Sequence, residues 1–188
     1  MTTAAAVQPM KRKGLLRNEK GLTLIELLAV IVILAIIAAI AIPSIGGIIN
    51  RTKKESHRAN AQIIVDAARY AVTAEGFPMV GKKADTNGSF TEGGKPIQTD
   101  YFDVTLKELN TKGYLESIPI DPESPDKKTY DEEESIVRIH RVDDSGKYRY
   151  QIKLVKDDAS HTNVFKPEST EDGYVLESEI KSTPLNGD

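Results

Sequence analysis

From Leu22 to Ile42 the chain is apolar at every position except Thr23 and Glu26. As a helix rising about 1.5 Å per residue, these about 21 residues reach about 30 Å, the thickness of a bilayer's hydrocarbon core. Beyond Pro43 the apolar positions thin to Ile45, Ile48, Ile49, Thr52, Ala59, Ile63, Ala67, Tyr70 and Ala74, a helical spacing that predicts an amphipathic continuation of the same helix over 44–76. Pro43 removes a backbone donor and crowds the preceding turn, and Gly46-Gly47 lowers helix propensity just after it. A kink at Pro43 is therefore expected. Glu75-Gly76-Phe77-Pro78 supplies the stop, with glycine as cap and proline behind it.

The pattern then changes. Residues 80–99 are rich in turn formers and poor in apolar side chains, and read as an exposed loop. Thr105-Leu-Lys-Glu108 has the spacing of a capping box and Gly113 follows, which predicts a short helix from Leu106 to Lys112. Ser135 to Val142 and Lys147 to Val155 alternate with period two across Asp143-Asp144-Ser145-Gly146, the signature of a hairpin. In its second strand Tyr148, Tyr150, Ile152 and Leu154 share the side that packs on the amphipathic helix, opposite Lys147, Arg149, Gln151 and Lys153. A third strand is expected around Tyr174 to Ile180, and the tail 182–188 reads as disordered. The fold class is α+β: one long N-terminal helix packed on a small antiparallel sheet domain, 77–181.

Charge adds an orientation. Lys11, Arg12, Lys13, Arg17 and Lys20 against Glu19 give the first 21 residues a net charge of +4, and the chain's −3 becomes −7 without them. A basic cluster beside an apolar span predicts a cytoplasmic N-terminus, with the larger C-terminal part outside the cytoplasmic membrane. The chain has no cysteine, so the outer domain is held by its core alone.

Glu26 is the residue that needs explaining. A carboxylate inside an apolar span is costly and marks function by default. The span holds no cation to pair with it, but a cut after Gly21 would expose the α-amino group of Leu22, which is largely protonated near neutral pH. The new charge and Glu26 lie at different depths in one chain, so pairing between staggered copies is easier. A secretory signal peptide, with Ala39-Ile40-Ala41 as its cleavage site, is disfavoured by the length of the apolar run and by the early glutamate. A single-pass anchor that never assembles leaves the glycine and glutamate unexplained.

Gly21 followed by Leu22-Thr23-Leu24-Ile25-Glu26-Leu27-Leu28, then the apolar helix and Ala41-Ile42-Pro43, resembles the N-terminus of the type IV pilin and type II secretion pseudopilin superfamily, with a class III prepilin signal. The resemblance implies a pilin-like fold, cleavage after Gly21 by a prepilin peptidase, N-methylation of Leu22, a role for Glu26 in ordered assembly and a helix kink at Pro43. It further implies self-assembly with other pilin subunits, an assembly ATPase and platform, membrane lipid around 22–43, and an extracellular filament. At Leu22 the family more often carries phenylalanine or methionine. Lys112-Gly-Tyr-Leu-Glu-Ser-Ile-Pro-Ile-Asp-Pro122 also resembles the middle of major pseudopilins, without the aromatic residue that often follows. The role within the family, as pilus subunit or as minor pseudopilin of a secretion or competence DNA-uptake machine, stays open at this point.

Other chemistry is sparse. Arg138, His140, Lys147, Arg149 and Lys153 on the outer hairpin face offer cations to a DNA backbone, but no aromatic residue is interleaved to stack bases and the acidic run 131–134 balances them. The oxygens of Asp121-Pro-Glu-Ser-Pro-Asp126 and 131–134 suit calcium without EF-hand spacing. His57, His140 and His161 fall in separate elements and read as surface residues. Asn50-Arg-Thr and Asn87-Gly-Ser have glycosylation spacing. There is no phosphate-binding glycine loop, nucleophile elbow or thiol, so catalysis is not expected and no cofactor is assigned.

Overall fold

The computed structural model describes residues 23–78, 85–92, 95–142, 146–167 and 173–186, with the backbone alone over 85–98. The chain divides into two compact units, 1–46 and 47–188. Helix α1, Leu24–Glu75, contributes to both, and its helical assignment continues through Pro43. In the first unit the helix is hydrocarbon-like all round and exposed, from Leu24 to Ile42. It is the one helix among the described residues that is long and apolar enough to cross a membrane.

The second unit is α+β, as the patterning predicts. Strands β1 (Asp85–Glu92), β2 (Lys95–Thr105), β3 (Ile136–Arg141), β4 (Tyr148–Lys153) and β5 (Val175–Leu176) form one five-stranded sheet in chain order. Every neighbour is antiparallel. The expected hairpin is β3–β4, with Ile139 opposite Tyr150 and Val137 opposite Ile152. The sheet's inner face places Phe102, Val104, Val137, Ile139, Tyr150 and Ile152 in one core with the last turns of α1. The short helix α2, Leu106–Thr111, starts on the expected capping box: Thr105 accepts from the Glu108 amide at 3.2 Å, and Glu108 accepts from the Thr105 amide at 3.0 Å. Its Leu106 and Leu109 are fully buried. At the end of α1, Gly76 takes a left-handed φ of 86° and its amide bonds the Val72 carbonyl at 2.8 Å, the capping anticipated from Glu75-Gly76.

Three expectations are corrected. The loop reading of 80–99 gives way to a hairpin: β1 and the start of β2 pair from Glu92–Lys95 back to Asp85–Tyr101, with a register irregularity between Asp85 and Gly88. Backbone pairing, rather than apolar content, makes these strands, so a composition reading passes over them. Residues 79–84 and 93–94 of that segment, and the turn residues 143–145, lie outside the described residues.

The amphipathic face of α1 is also reassigned. The buried stripe is His57, Ala61, Ile64, Val65, Ala67, Ala68, Ala71 and Val72, whereas Ala59, Ile63, Tyr70 and Ala74 are exposed. Two apolar stripes compete on this stretch. The one rich in alanine lets the helix approach the sheet closely, and it is the one buried.

Finally, the chain beyond Lys181 is ordered through Asn186. Leu185 is 3 % exposed and pairs with Phe165, the Lys166 amide bonds the Pro184 carbonyl at 2.9 Å, and the Asn186 amide bonds the Val164 carbonyl at 2.9 Å. A buried leucine and these backbone bonds together hold a segment that reads as polar overall.

Gly173 is the glycine that the packing requires. Its φ is 76°, and a Cβ there would sit 2.4 Å from Asn163 Nδ2 and 3.0 Å from Asn163 Cγ. Gly173→Ala is expected to cost about 1–2 kcal/mol from the left-handed backbone alone, with displacement of Asn163 added to it. Thermal melting of the variant should fall by several degrees, and an unchanged melt would remove the requirement for glycine.

Candidate functional site

The N-terminal site is built around the start of α1. Thr23 is its N-terminal boundary residue, and both its amide and its hydroxyl donate to Glu26 Oε2, at 2.8 and 2.7 Å. The Glu26 amide in turn donates to Thr23 Oγ1 at 3.3 Å. This is a capping box, in which each residue satisfies an amide that the helix leaves open. The carboxylate of Glu26 is thereby oriented along the helix toward its N-terminus. Thr23 was not singled out by the sequence reading, although Thr23-Leu-Ile-Glu26 carries the same four-residue signature that located α2. Gly21 and Leu22 lie outside the described residues. Pro43 lies within α1.

On the outer face of the sheet two of the cations read from the sequence are ion-paired. Arg138 makes a two-pronged bond to Asp103, 2.8 Å at each contact, and lies between the rings of Tyr101 and Tyr174 at 4.5 and 4.2 Å. The Asp103 bonds hold its guanidinium protonated to higher pH than usual. Lys153 lies 3.8 Å from Glu134. His140, expected at the surface, is fully buried in a polar ladder across three strands. Its Nε2 donates to Gln151 Oε1 at 2.8 Å, so its Nδ1 accepts from the Thr99 hydroxyl at 2.7 Å. Burial pushes this imidazole's pKa down, with the Gln151 bond acting the other way. Of the five outer-face residues, Arg138 is thus ion-paired and His140 is buried.

The acidic segments also spend their oxygens internally. Asp121 Oδ1 accepts from the Glu123 amide at 2.8 Å, and Asp131 Oδ1 accepts from the Glu133 and Glu134 amides at 2.9 and 2.8 Å. Asp131 Oδ2 lies 3.1 Å from His161 Nδ1. Among the described residues no group of three or more His, Asp or Glu side chains is arranged to hold a metal ion.

His57 is the second histidine to leave the surface, at 1 % exposed. The stripe His57-Ala61-Ile64-Ala68-Ala71 was legible at helical spacing, but the neighbouring stripe through Ile63 and Tyr70 looked more apolar. Within the second unit a groove lined by Asn60, Ile63, Tyr70, Tyr114, Leu115 and Pro119 opens beside this region.

Residues 16–42 match the family model of the prokaryotic N-terminal methylation motif. The matched segment carries a class III prepilin signal of the type IV pilin and pseudopilin kind, and it includes Gly21, Leu22 and Glu26. No curated protein and no solved structure matches the chain.

Proposed function

We propose that the chain is a structural prepilin that is cut after Gly21, methylated at Leu22 and assembled through α1 into a type IV pilus or a shorter pseudopilus. The observation that carries this reading is the methylation motif over 16–42, which ends inside a helix that is apolar and exposed on all sides. Such a helix is stable in only two settings, lipid or the company of like helices. A subunit that moves from the membrane into a fibre core passes from one to the other.

Cleavage supplies the charge that Glu26 lacks. The freed amino group of Leu22 in one subunit pairs with Glu26 of a neighbour, and the apolar faces follow into register. Before the cut, the basic leader holds the N-terminus on the cytoplasmic side and the second unit lies across the membrane. The partners are a prepilin peptidase, other pilin-type subunits, and the ATPase and platform that drive assembly. The signal is that of a structural subunit, and the chain's own part in the process is binding rather than catalysis.

Mass spectrometry of the mature N-terminus tests this reading. Leu22 is expected as the first residue, carrying one methyl group. An intact leader, or a first residue after Ala41, would overturn the proposal.

A further inference from the structure

His57 is buried on the stripe of α1 that faces the segment 116–131, and neither membrane insertion nor helix assembly uses it. Its Nδ1 lies 2.8 Å from the Tyr130 hydroxyl, and Tyr130 itself is 1 % exposed. Asn60 Nδ2 donates to the same hydroxyl at 3.2 Å and to the Ile120 carbonyl at 3.2 Å. With Asn60 occupying one lone pair of the hydroxyl, the single Tyr130 hydrogen has His57 Nδ1 as its acceptor, since buried donors are rarely left unused. That count assigns the ring proton to Nε2. Nε2 is itself buried without a hydrogen-bond partner, 3.7 Å from Asp121 Oδ1 and 3.9 Å from Glu123 Oε1. Both gaps are too long for a hydrogen bond. The carboxylates are committed elsewhere, Asp121 Oδ1 to the Glu123 amide and Glu123 Oε2 to the Lys156 ammonium.

We propose that His57 is an acid-sensitive joint: as a neutral ring it accepts the Tyr130 hydroxyl hydrogen and fastens the segment 116–131 to α1, and a proton taken up on Nδ1 turns that acceptor into a donor, so that the Tyr130 hydrogen loses its acceptor and a charge is placed on a buried ring. The segment is tied within itself, because Ile120 bridges Thr129 and the Asp121 amide bonds the Lys128 carbonyl at 2.9 Å, and its end is held by the Tyr130–Lys156 bridge, so loss of the His57 bond loosens it on the α1 side. Its release also reshapes the adjoining groove, to which Asn60 and Pro119 contribute.

Five groups set the sign. Asp121 and Glu123 from the segment favour the imidazolium, Lys156 beyond β4 and Lys53 on α1 oppose it, and Tyr130 covers the ring from the segment. Burial is the largest influence and opposes the charge, so the pKa of His57 lies below its ordinary value. An open state in which His57 meets water then binds the proton more readily than the closed state does. The joint's contribution is full above about pH 6.5 and is lost as the pH falls below it. The Tyr130 hydroxyl keeps its proton over this range, because burial pushes its pKa up.

Amide hydrogen exchange of the full chain in detergent, corrected for intrinsic rates, tests the joint at about pH 7.5 and about pH 5.5. Peptides within 116–131 are expected to exchange roughly fivefold faster in acid, the change that loss of one ordinary buried hydrogen bond makes in a local opening equilibrium. His57→Asn, which keeps an acceptor near Nδ1 but cannot ionise, should abolish the acid response. His140 is retained in that variant, so any acid effect arising in the sheet is common to both proteins. Tyr130→Phe, which keeps the ring and removes the hydroxyl, should exchange at neutral pH as the unmodified chain does in acid. Equal acid responses in the unmodified and His57→Asn chains, or an acid-insensitive segment in the unmodified chain, would overturn the proposal.

Discussion

Glu26→Ala is expected to leave the chain in the membrane and to abolish filaments. Removing a carboxylate from an apolar span makes insertion easier, so loss of assembly cannot be traced to loss of the anchor. Two further changes come with the substitution. The capping box with Thr23 opens, returning the Thr23 amide to an unsatisfied helix end, and, on the proposed function, the partner of the Leu22 amino group disappears from the neighbouring subunit. Glu26→Gln separates these effects, because an amide still accepts from Thr23 but carries no charge. Filament yield in the sheared fraction, set against the amount of chain in the membrane fraction, gives the readout. Both variants should give membrane-bound chain and no filament. If the glutamine variant assembles, the cap is the requirement; if the alanine variant assembles normally, the assembly reading fails.

Ile152→Ala is expected to have the largest effect on the folded domain. Ile152 is fully buried toward the end of β4, opposite Val137 on one side and Val175 on the other, in the same core as Ile64, Val65 and Ala68 of α1. Strands hold it on both flanks and the helix lies over it, so the site collapses poorly around a missing side chain. Such a truncation costs about 2–5 kcal/mol, a large part of the about 5–15 kcal/mol that holds an ordinary domain folded. With no disulfide to limit the unfolded chain, nothing covalent offsets that loss. The melting midpoint, followed by circular dichroism, should fall by roughly 10 °C. A fall of less than about 2 °C would mean that the core around Ile152 is not where the domain's stability resides.

Elements whose cause lies within a few consecutive residues were legible in advance. Thr105 and Glu108 bracket one helical turn and fix the start of α2 with bonds that reach no further than three residues. Gly76 ends α1 for an equally local reason, because a left-handed residue is needed there and glycine supplies it. The β3–β4 hairpin followed from alternation and turn chemistry. The β1–β2 hairpin did not, since its strands are specified by a pairing partner rather than by their own composition.

The histidines show the same division. His140 alternates with Arg138 on one side of its strand, and only the pairing of three strands brings Thr99 and Gln151 to its two nitrogens. His57 depends on Tyr130, which is 73 residues away. For the cations of the outer sheet face, the sequence offers the acidic run 131–134 as the balance, and Lys153 lies 3.8 Å from Glu134 of that run, whereas the partner of Arg138 is a distant residue. Arg138 meets Asp103 through the β2–β3 register, a relation between positions 35 residues apart.

By itself the sequence determined the N-terminal pattern: an apolar stretch of membrane length, a basic segment before it, and the methylation motif over 16–42 that includes Gly21, Leu22 and Glu26. Those features act through contiguous residues and through the contrast between hydrocarbon and charge, both of which are written along the chain. Only the tertiary structure decided which stripe of α1 is buried, that His57 and His140 are inside, that 182–186 is ordered with Leu185 buried, and that Arg138 is paired with Asp103. Each of these is a choice between locally equivalent alternatives. The choice is made by close packing and by the cost of burying an unpaired polar group, and both depend on residues that are distant in sequence.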